Sequence, residues 1–162
     1  MSSRPPADAD LIVSGARAAR ALLHRNLTAH GILAAAPSSR AERRRYMRIF
    51  GRDAGICALA MTLTGDAGLI NGARTSLMTL ARHQASNGQI PKFVDPAEQE
   101  PDFWYLGCID ATLWWLIAVD FLALHAPQAR FAKQIAPAIE RALAWLRAQE
   151  HPRLHLIQQN EA

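Results

Sequence analysis

Residues 109–126 read IDATLWWLIAVDFLALHA and form the longest strongly apolar stretch of the chain. The spacing fits a helix that is apolar nearly all round, which is typical of a helix covered on every side. Asp110 and Asp120 interrupt the stretch, so we do not expect it to cross a membrane. Pro127 ends it. The segment therefore predicts a buried helix inside an α-helical domain.

Apolar residues elsewhere also recur at helical spacing, and no stretch shows a convincing strand pattern. We therefore expect a single all-α domain over residues 1–162, in keeping with a chain that is 50% apolar and 20% charged. Besides the helix at 109–125, the expected helices are at about 8–25, 54–64, 66–87 and 128–149.

Several residues mark where these helices should begin and end. Asp53 is the expected N-cap of the second helix, and Gly65 should end it. Gly88 should end the third helix. The first helix is expected to bury an apolar stripe that runs from Leu11 to Leu23.

The connections alternate between short turns and long loops. Gly65 and Ala126-Pro127 provide tight turns, whereas the connections at 26–53 and 88–108 are long. This alternation predicts helical hairpins side by side, with two inner helices, 54–64 and 109–125, that start on a common rim. Long loops in compact domains are usually functional.

The formal net charge of +4 raises the question of nucleic-acid binding, but the charges are segregated. Residues 40–48 hold five arginines, whereas 95–110 hold five acids and no Lys or Arg. A solvated arginine turn that pairs with the acidic loop is favoured over a nucleic-acid interface. Cys57 and Cys108 are expected to be buried thiols, and the first residues lack an apolar leader, so we expect a cytoplasmic protein.

Arg52 and Asp53 stand together at the mouth of an inner helix. They could serve only as a cap and an ion-pair partner, or they could bind a polyhydroxylated ligand. A sugar presents paired donors and acceptors, which an arginine fork and a carboxylate can meet together. Farther along, His83 and Gln84 are polar rim residues, but His83 has no partner at metal-ligand spacing. We therefore expect neither a metal nor a cofactor.

Asp110 lies at the start of the other inner helix, among tryptophans at 104, 114 and 115. Aromatic faces stack on sugar rings and keep water away from a carboxyl group. Alternatively, Asp110 is a second cap, and at least one of Trp114 and Trp115 packs in the core. A helix N-terminus favours an ionised carboxylate, whereas a general acid must be protonated.

Four ordered motifs carry a resemblance to a known family. They are Tyr-x-x-x-Phe-Gly-Arg-Asp-Ala at 46–54, Leu-Thr-Gly-Asp at 63–66, His-Gln-x-x-x-Gly-Gln-Ile-Pro at 83–91 and Gly-Cys-Ile-Asp-Ala-Thr-Leu-Trp-Trp-Leu at 107–116. Together they resemble the (α/α)6-barrel, or six-hairpin, glycosidases. The resemblance is to bacterial glycogen-debranching proteins of the amylo-α-1,6-glucosidase type and their neutral-invertase relatives, and it covers residues 16–162.

The resemblance implies roles for the residues already singled out. Arg52 and Asp53 would bind hydroxyls of the sugar in the −1 subsite, with Trp114 and Trp115 as further substrate-binding residues. Asp110 would be the general acid, and an oligosaccharide or α-glucan the substrate. Hydrolysis would invert configuration with a second carboxylate as base, which the resemblance places in the later half of the barrel.

By the same resemblance, the chain would correspond to about two and a half of six hairpins. We therefore expect it to lack the catalytic base and to hydrolyse no maltose, isomaltose or sucrose alone. The uncovered inner-helix faces would favour self-association. The alternative function is a non-catalytic carbohydrate-binding or helical interaction module.

Overall fold

A computed structural model describes residues 7–103 and 108–158. The described chain is mainly helical, which confirms the expected fold class. Its helices are α1 (Ala7–Asn26), α2 (Ser39–Arg43), α3 (Gly51–Leu63), α4 (Ala67–Arg82), α5 (Ile109–His125) and α6 (Ala129–Ala148).

Some helices begin or end at residues other than those expected from the sequence. Helix α3 begins at Gly51, so its N-cap is Phe50 and the expected cap role of Asp53 is wrong. Helix α4 ends at Arg82 with His83 as C-cap, well before Gly88. The bounds of α1, α5 and α6 lie within one residue of those expected.

Short strands correct the expectation that the chain holds none. They are β1 (Leu27–Thr28), β2 (Gly31–Ile32), β3 (Ile49–Phe50), β4 (Phe93–Asp95) and β5 (Glu100–Asp102). The first two form an antiparallel pair, and the others form an antiparallel sheet in the order β3-β4-β5. Strands of two or three residues are too short to show a period-two pattern, which explains why the sequence did not reveal them.

Helices α3 and α5 lie against each other with very little space between their backbones. A Cβ atom at Gly51 would lie 2.7 Å from the Ala111 Cβ, and one at Gly55 would lie 2.8 Å from the Trp114 carbonyl oxygen. Because the contacts advance in the same direction along both helices, α3 and α5 run parallel. Their N-termini therefore share one end of the domain, as the loop lengths predicted.

The core lies between these two helices and α4. Trp115 is fully buried, and its indole N–H donates to the Leu77 carbonyl on α4 at 2.9 Å. Met61 of α3 and Leu69 of α4 are fully buried in the same cluster. Helix α6 adds Ile135 to this cluster. Helix α5 is thus held from several sides, although Ile117 and Leu124 remain exposed.

Helix α1 does not bury the stripe that its sequence suggested. Leu11 and Ile12 are each 71% exposed, and only the end of the helix packs on the domain, through Leu23. Arg20 donates to the Thr64 carbonyl at 2.7 Å, and His24 lies 3.0 Å from the Asp66 carboxylate. The Leu69 N–H, and then the bond to His24, lower the pKa of Asp66.

Within residues 7–103 and 108–158, no helix is both long and apolar enough to span a bilayer.

Replacing Gly55 by Ala tests the close packing of α3 on α5. We expect the free energy of unfolding to fall by about 1–3 kcal/mol, because the added methyl group would clash with backbone atoms of α5, which cannot move away as a flexible side chain could. Chemical denaturation measures the change. The control is Gly15→Ala on α1, where an added Cβ meets nothing within 4 Å, and which should be neutral or slightly stabilising. Equal stability of Gly55→Ala and the unchanged protein would contradict the packing.

Candidate functional site

The N-terminal turns of α3 and α5 bring Arg52 and Asp110 into direct contact. Arg52 Nη1 lies 2.8 Å from Asp110 Oδ2, although the residues are far apart in the sequence. Both side chains remain accessible, with 57% of Arg52 and 41% of Asp110 exposed. The expected clustering of these two residues on one rim is therefore confirmed.

Asp110 accepts two further hydrogen bonds through its other oxygen. The backbone N–H of Ala111 donates to Oδ1 at 2.9 Å, and the Cys108 thiol donates to the same oxygen at 3.1 Å. Three donors thus hold the carboxylate in place. Its position is set by the start of α5 on one side and by Arg52 of α3 on the other.

Cys108 stays a thiol in this arrangement. Burial raises the pKa of the Cys108 thiol to about 12, and the hydrogen bond to Asp110 and the charge of that residue act in the same direction. A thiol with so high a pKa carries almost no thiolate near neutral pH, so it can donate to Asp110 but is a poor nucleophile.

A cavity of about 190 Å³ opens at this rim. That volume is smaller than the roughly 300–1,000 Å³ of sites for drug-sized ligands, so it suits one small polar unit. The described residues that line it are Phe50, Arg52, Asp53, Lys92, Cys108, Asp110 and Ala111. Arg52, Asp53 and Asp110 therefore share one cavity.

Asp53 belongs to the cavity although it does not cap its helix. It occupies the first turn of α3, next to Arg52. Burial and, to a smaller extent, the charge of Asp53 raise the pKa of the Cys57 thiol. Asp53 therefore adds a second negative charge to the rim near Asp110.

One face of the three-stranded sheet continues from the cavity as a row of aromatic rings. Phe50 and Phe93 are opposite each other in β3 and β4, with ring centroids 5.1 Å apart, and Tyr46 lies 6.1 Å from Phe50. Arg48 stacks over Phe93 at 4.4 Å and pairs with Asp95 at 3.1 Å. The last contact confirms that the arginine run pairs with the acidic loop.

Neither Trp114 nor Trp115 is in the described lining of the cavity. Trp115 is fully buried and its N–H donates within the core, which fits the alternative that at least one of the two tryptophans packs in the core. Trp114 is half-buried, packs its backbone against Gly55 and is absent from the described lining of the cavity. Trp104 lies outside the described residues.

His83 and Gln84 have structural partners instead of a ligand. His83 Nδ1 lies 2.9 Å from the Thr79 carbonyl. Gln84 donates to the Ala138 carbonyl and accepts from Arg141, both at 2.9 Å, and so ties the end of α4 to α6. The described part of the chain contains no group of His, Cys, Asp or Glu residues that could hold a metal ion.

Sequence reasoning did not assign Phe50, Lys92 and Cys108 to the site. Lys92 reaches the cavity because its carbonyl accepts from the Gly51 N–H at 2.8 Å, beside the β3–β4 pairing. No local sequence pattern predicts the pairing of β3 with β4. Cys108, by contrast, lies two residues before Asp110, a spacing that could have suggested contact across the start of a helix.

The residues of this rim lie within a region of the chain that matches a known protein family. A family model described as amylo-alpha-1,6-glucosidase matches residues 33–151, which include Arg52, Asp53 and Asp110. The match covers most of the chain, so the chain belongs to the amylo-alpha-1,6-glucosidase family and is related to glycogen debranching and carbohydrate metabolism. Neither a curated protein nor a solved structure matches it.

The contact between Cys108 and Asp110 can be tested by alkylation. Asp110→Asn removes the charge that helps to raise the pKa of Cys108, so the thiolate fraction should increase. We expect iodoacetamide to modify Cys108 at least about threefold faster in the native protein, as a pKa lower by half a unit would give. Mass spectrometry of the peptides measures the rate.

The matched control is Asp120→Asn, which removes the same charge from the exposed far part of α5. It should leave the rate at Cys108 unchanged. An equal rate in Asp110→Asn and the unchanged protein would show that Asp110 does not act on this thiol.

Proposed function

We propose that the rim formed by α3 and α5 binds a glucosyl unit of an α-glucan and supplies the acid side of a glycoside hydrolase site. The observation that carries this proposal is the 2.8 Å contact of Arg52 with Asp110 inside a cavity, in a chain of the amylo-alpha-1,6-glucosidase family. The substrate class is an oligosaccharide or α-glucan.

Arg52 and Asp53 take the sugar-binding role. The Arg52 guanidinium offers several donors in a fixed fork, and the Asp53 carboxylate accepts from hydroxyl groups. Phe50 lines the same cavity and offers an apolar ring to the C–H face of the sugar. A bound sugar hydroxyl would replace Asp110 as the partner of Arg52.

Asp110 takes the role of general acid and protonates the glycosidic oxygen. Once a sugar hydroxyl occupies Arg52, Asp110 Oδ2 loses its contact with the guanidinium and can face the glycosidic oxygen. Substrate binding would thus prepare Asp110 for proton donation.

An inverting hydrolysis also needs a carboxylate that activates water, with the two carboxyl groups about 6.5–9.5 Å apart. We assign no such base within residues 7–103 and 108–158, because Asp53 and Asp110 belong to the same rim and Asp53 is assigned to sugar binding. The expectation that residues 1–162 alone hydrolyse no maltose, isomaltose or sucrose follows from that assignment.

The apolar faces of the inner helices support placement in an (α/α)6 toroid. Ile56 and Leu63 of α3 are 44% and 68% exposed, and Ile117 and Leu124 of α5 are 49% and 70% exposed. In a toroid, neighbouring hairpins would cover these side chains. Without such a cover, the same faces favour self-association.

The state of the two cysteines supports the proposal that the protein functions in a reducing compartment. Cys57 and Cys108 are both free thiols, one half-buried and one buried. We propose that the protein acts in the cytoplasm, where thiols stay reduced.

Binding of isomaltose to the 162-residue chain, followed by NMR titration, tests the sugar site. Arg52→Lys should weaken binding at least about tenfold, because lysine keeps the charge but loses the planar fork. Arg147→Lys, the same change on the exposed side of α6, should stay within about twofold of the unchanged protein.

Two outcomes would contradict the proposal. One is the absence of saturable binding of isomaltose to the unchanged protein. The other is equal binding by Arg52→Lys and Arg147→Lys, which would place the sugar away from the rim.

A further inference from the structure

A second and larger cavity, of about 560 Å³, lies outside the candidate site, between α4 and the beginning of α6. Three of the described residues that line it are arginines: Arg74 and Arg82 from α4 and Arg130 from α6. No acidic residue is among them. The cavity therefore concentrates positive charge in a concave site.

The three arginines have no carboxylate partner within the described part of the chain. Ion pairs found there include those of His24 with Asp66, Arg48 with Asp95, Arg52 with Asp110 and His155 with Glu150, and Arg74, Arg82 and Arg130 take part in none. Three cations that face one cavity without a counterion repel one another, and an anion between them would relieve that repulsion.

Arg74 is held in position before any ligand arrives. Its Nη1 donates to Asn71 Oδ1 at 2.9 Å, and its Nη2 donates to the Ala126 carbonyl at 2.9 Å. Both of these acceptors are neutral. The Arg74 Nε is buried and has no hydrogen-bond acceptor. A guanidinium fixed in this way needs little further ordering to bind an anion.

The beginning of α6 adds to the attraction for an anion. Helix α6 has 20 residues, and its N-cap, Gln128, makes no side-chain capping bond. Gln128 lines the cavity together with Arg130. The partial positive charge of a helix N-terminus favours an anion beside it.

We propose that this cavity binds a phosphorylated sugar. Arginine forks match the oxygens of a phosphate monoester, which they can bind in a bidentate way. The cavity volume falls within the roughly 300–1,000 Å³ of small-molecule sites and leaves room for an organic body beside the phosphate. Thr75, Gln128 and Gln134 line the remaining wall with hydroxyl and amide groups that suit sugar hydroxyls.

The site is independent of the rim that holds Asp110. Helix α5 begins at that rim and ends at His125, and α6 begins at the opposite end of the domain with Ala129. Occupancy of the second cavity therefore does not require Arg52, and the inference stands apart from the proposed function.

Calorimetric titration of the 162-residue chain at constant ionic strength tests the inference. Glucose 6-phosphate should bind saturably, inorganic phosphate at least about threefold more weakly, and glucose not at all at this site. Arg82→Gln and Arg130→Gln should each weaken binding of glucose 6-phosphate at least about fivefold. Both side chains are exposed and make no hydrogen bond or ion pair within the described residues, so the variants should fold.

Two controls separate this site from other effects. Arg147→Gln removes the same charge from another exposed part of α6 and should change the affinity less than about twofold. Arg52→Lys should also leave it unchanged. Circular dichroism should show that every variant is folded.

Four results would overturn the inference. They are no saturable binding of glucose 6-phosphate, binding of glucose with equal affinity that Arg130→Gln weakens equally, binding of inorganic phosphate as tightly as glucose 6-phosphate, or an equal loss in Arg147→Gln and Arg130→Gln.

Discussion

The close parallel packing of α3 on α5 is the constraint on which the rest of the structure depends. Glycine at positions 51 and 55 lets the two backbones approach to a distance that a methyl group would not allow. Because the helices run parallel, the first turn of α3 and the first turn of α5 lie at the same rim. Arg52 and Asp110 then meet, and Asp53 joins them in one cavity.

The exposure of the Arg52–Asp110 pair matters for function. With 57% and 41% of the side chains exposed, the pair is accessible to solvent, and such pairs contribute only about 0–1 kcal/mol to stability. In the proposed function, a sugar would therefore separate them at little cost. The Ala111 N–H and the Cys108 thiol would remain on Asp110 and keep the carboxyl in position during this proposed exchange.

The sequence predicts five of the six described helices, their order and the common rim, because apolar periodicity and loop length are local properties. It does not predict α2, whose five residues are too few to show helical periodicity. It misplaces the start of α3, since the Gly51 N–H bonds to Lys92 through a strand pairing that no local pattern shows. It also cannot separate Trp114 from Trp115, because the difference is made by the Leu77 carbonyl on another helix. The stripe on α1 is apolar yet exposed, so periodicity alone does not establish burial.

A double-mutant cycle tests most directly whether the contact between Arg52 and Asp110 is coupled to sugar binding. The affinity for isomaltose is measured in the unchanged protein, in Arg52→Gln, in Asp110→Asn and in the double variant, each shown to be folded. We predict non-additive changes, with a coupling free energy of at least about 1 kcal/mol, as residues in direct contact show. Arg52→Gln should weaken binding, whereas Asp110→Asn should leave it similar or stronger, because the sugar replaces Asp110 as the partner of Arg52. Additive changes, or an unchanged affinity in Arg52→Gln, would contradict this prediction.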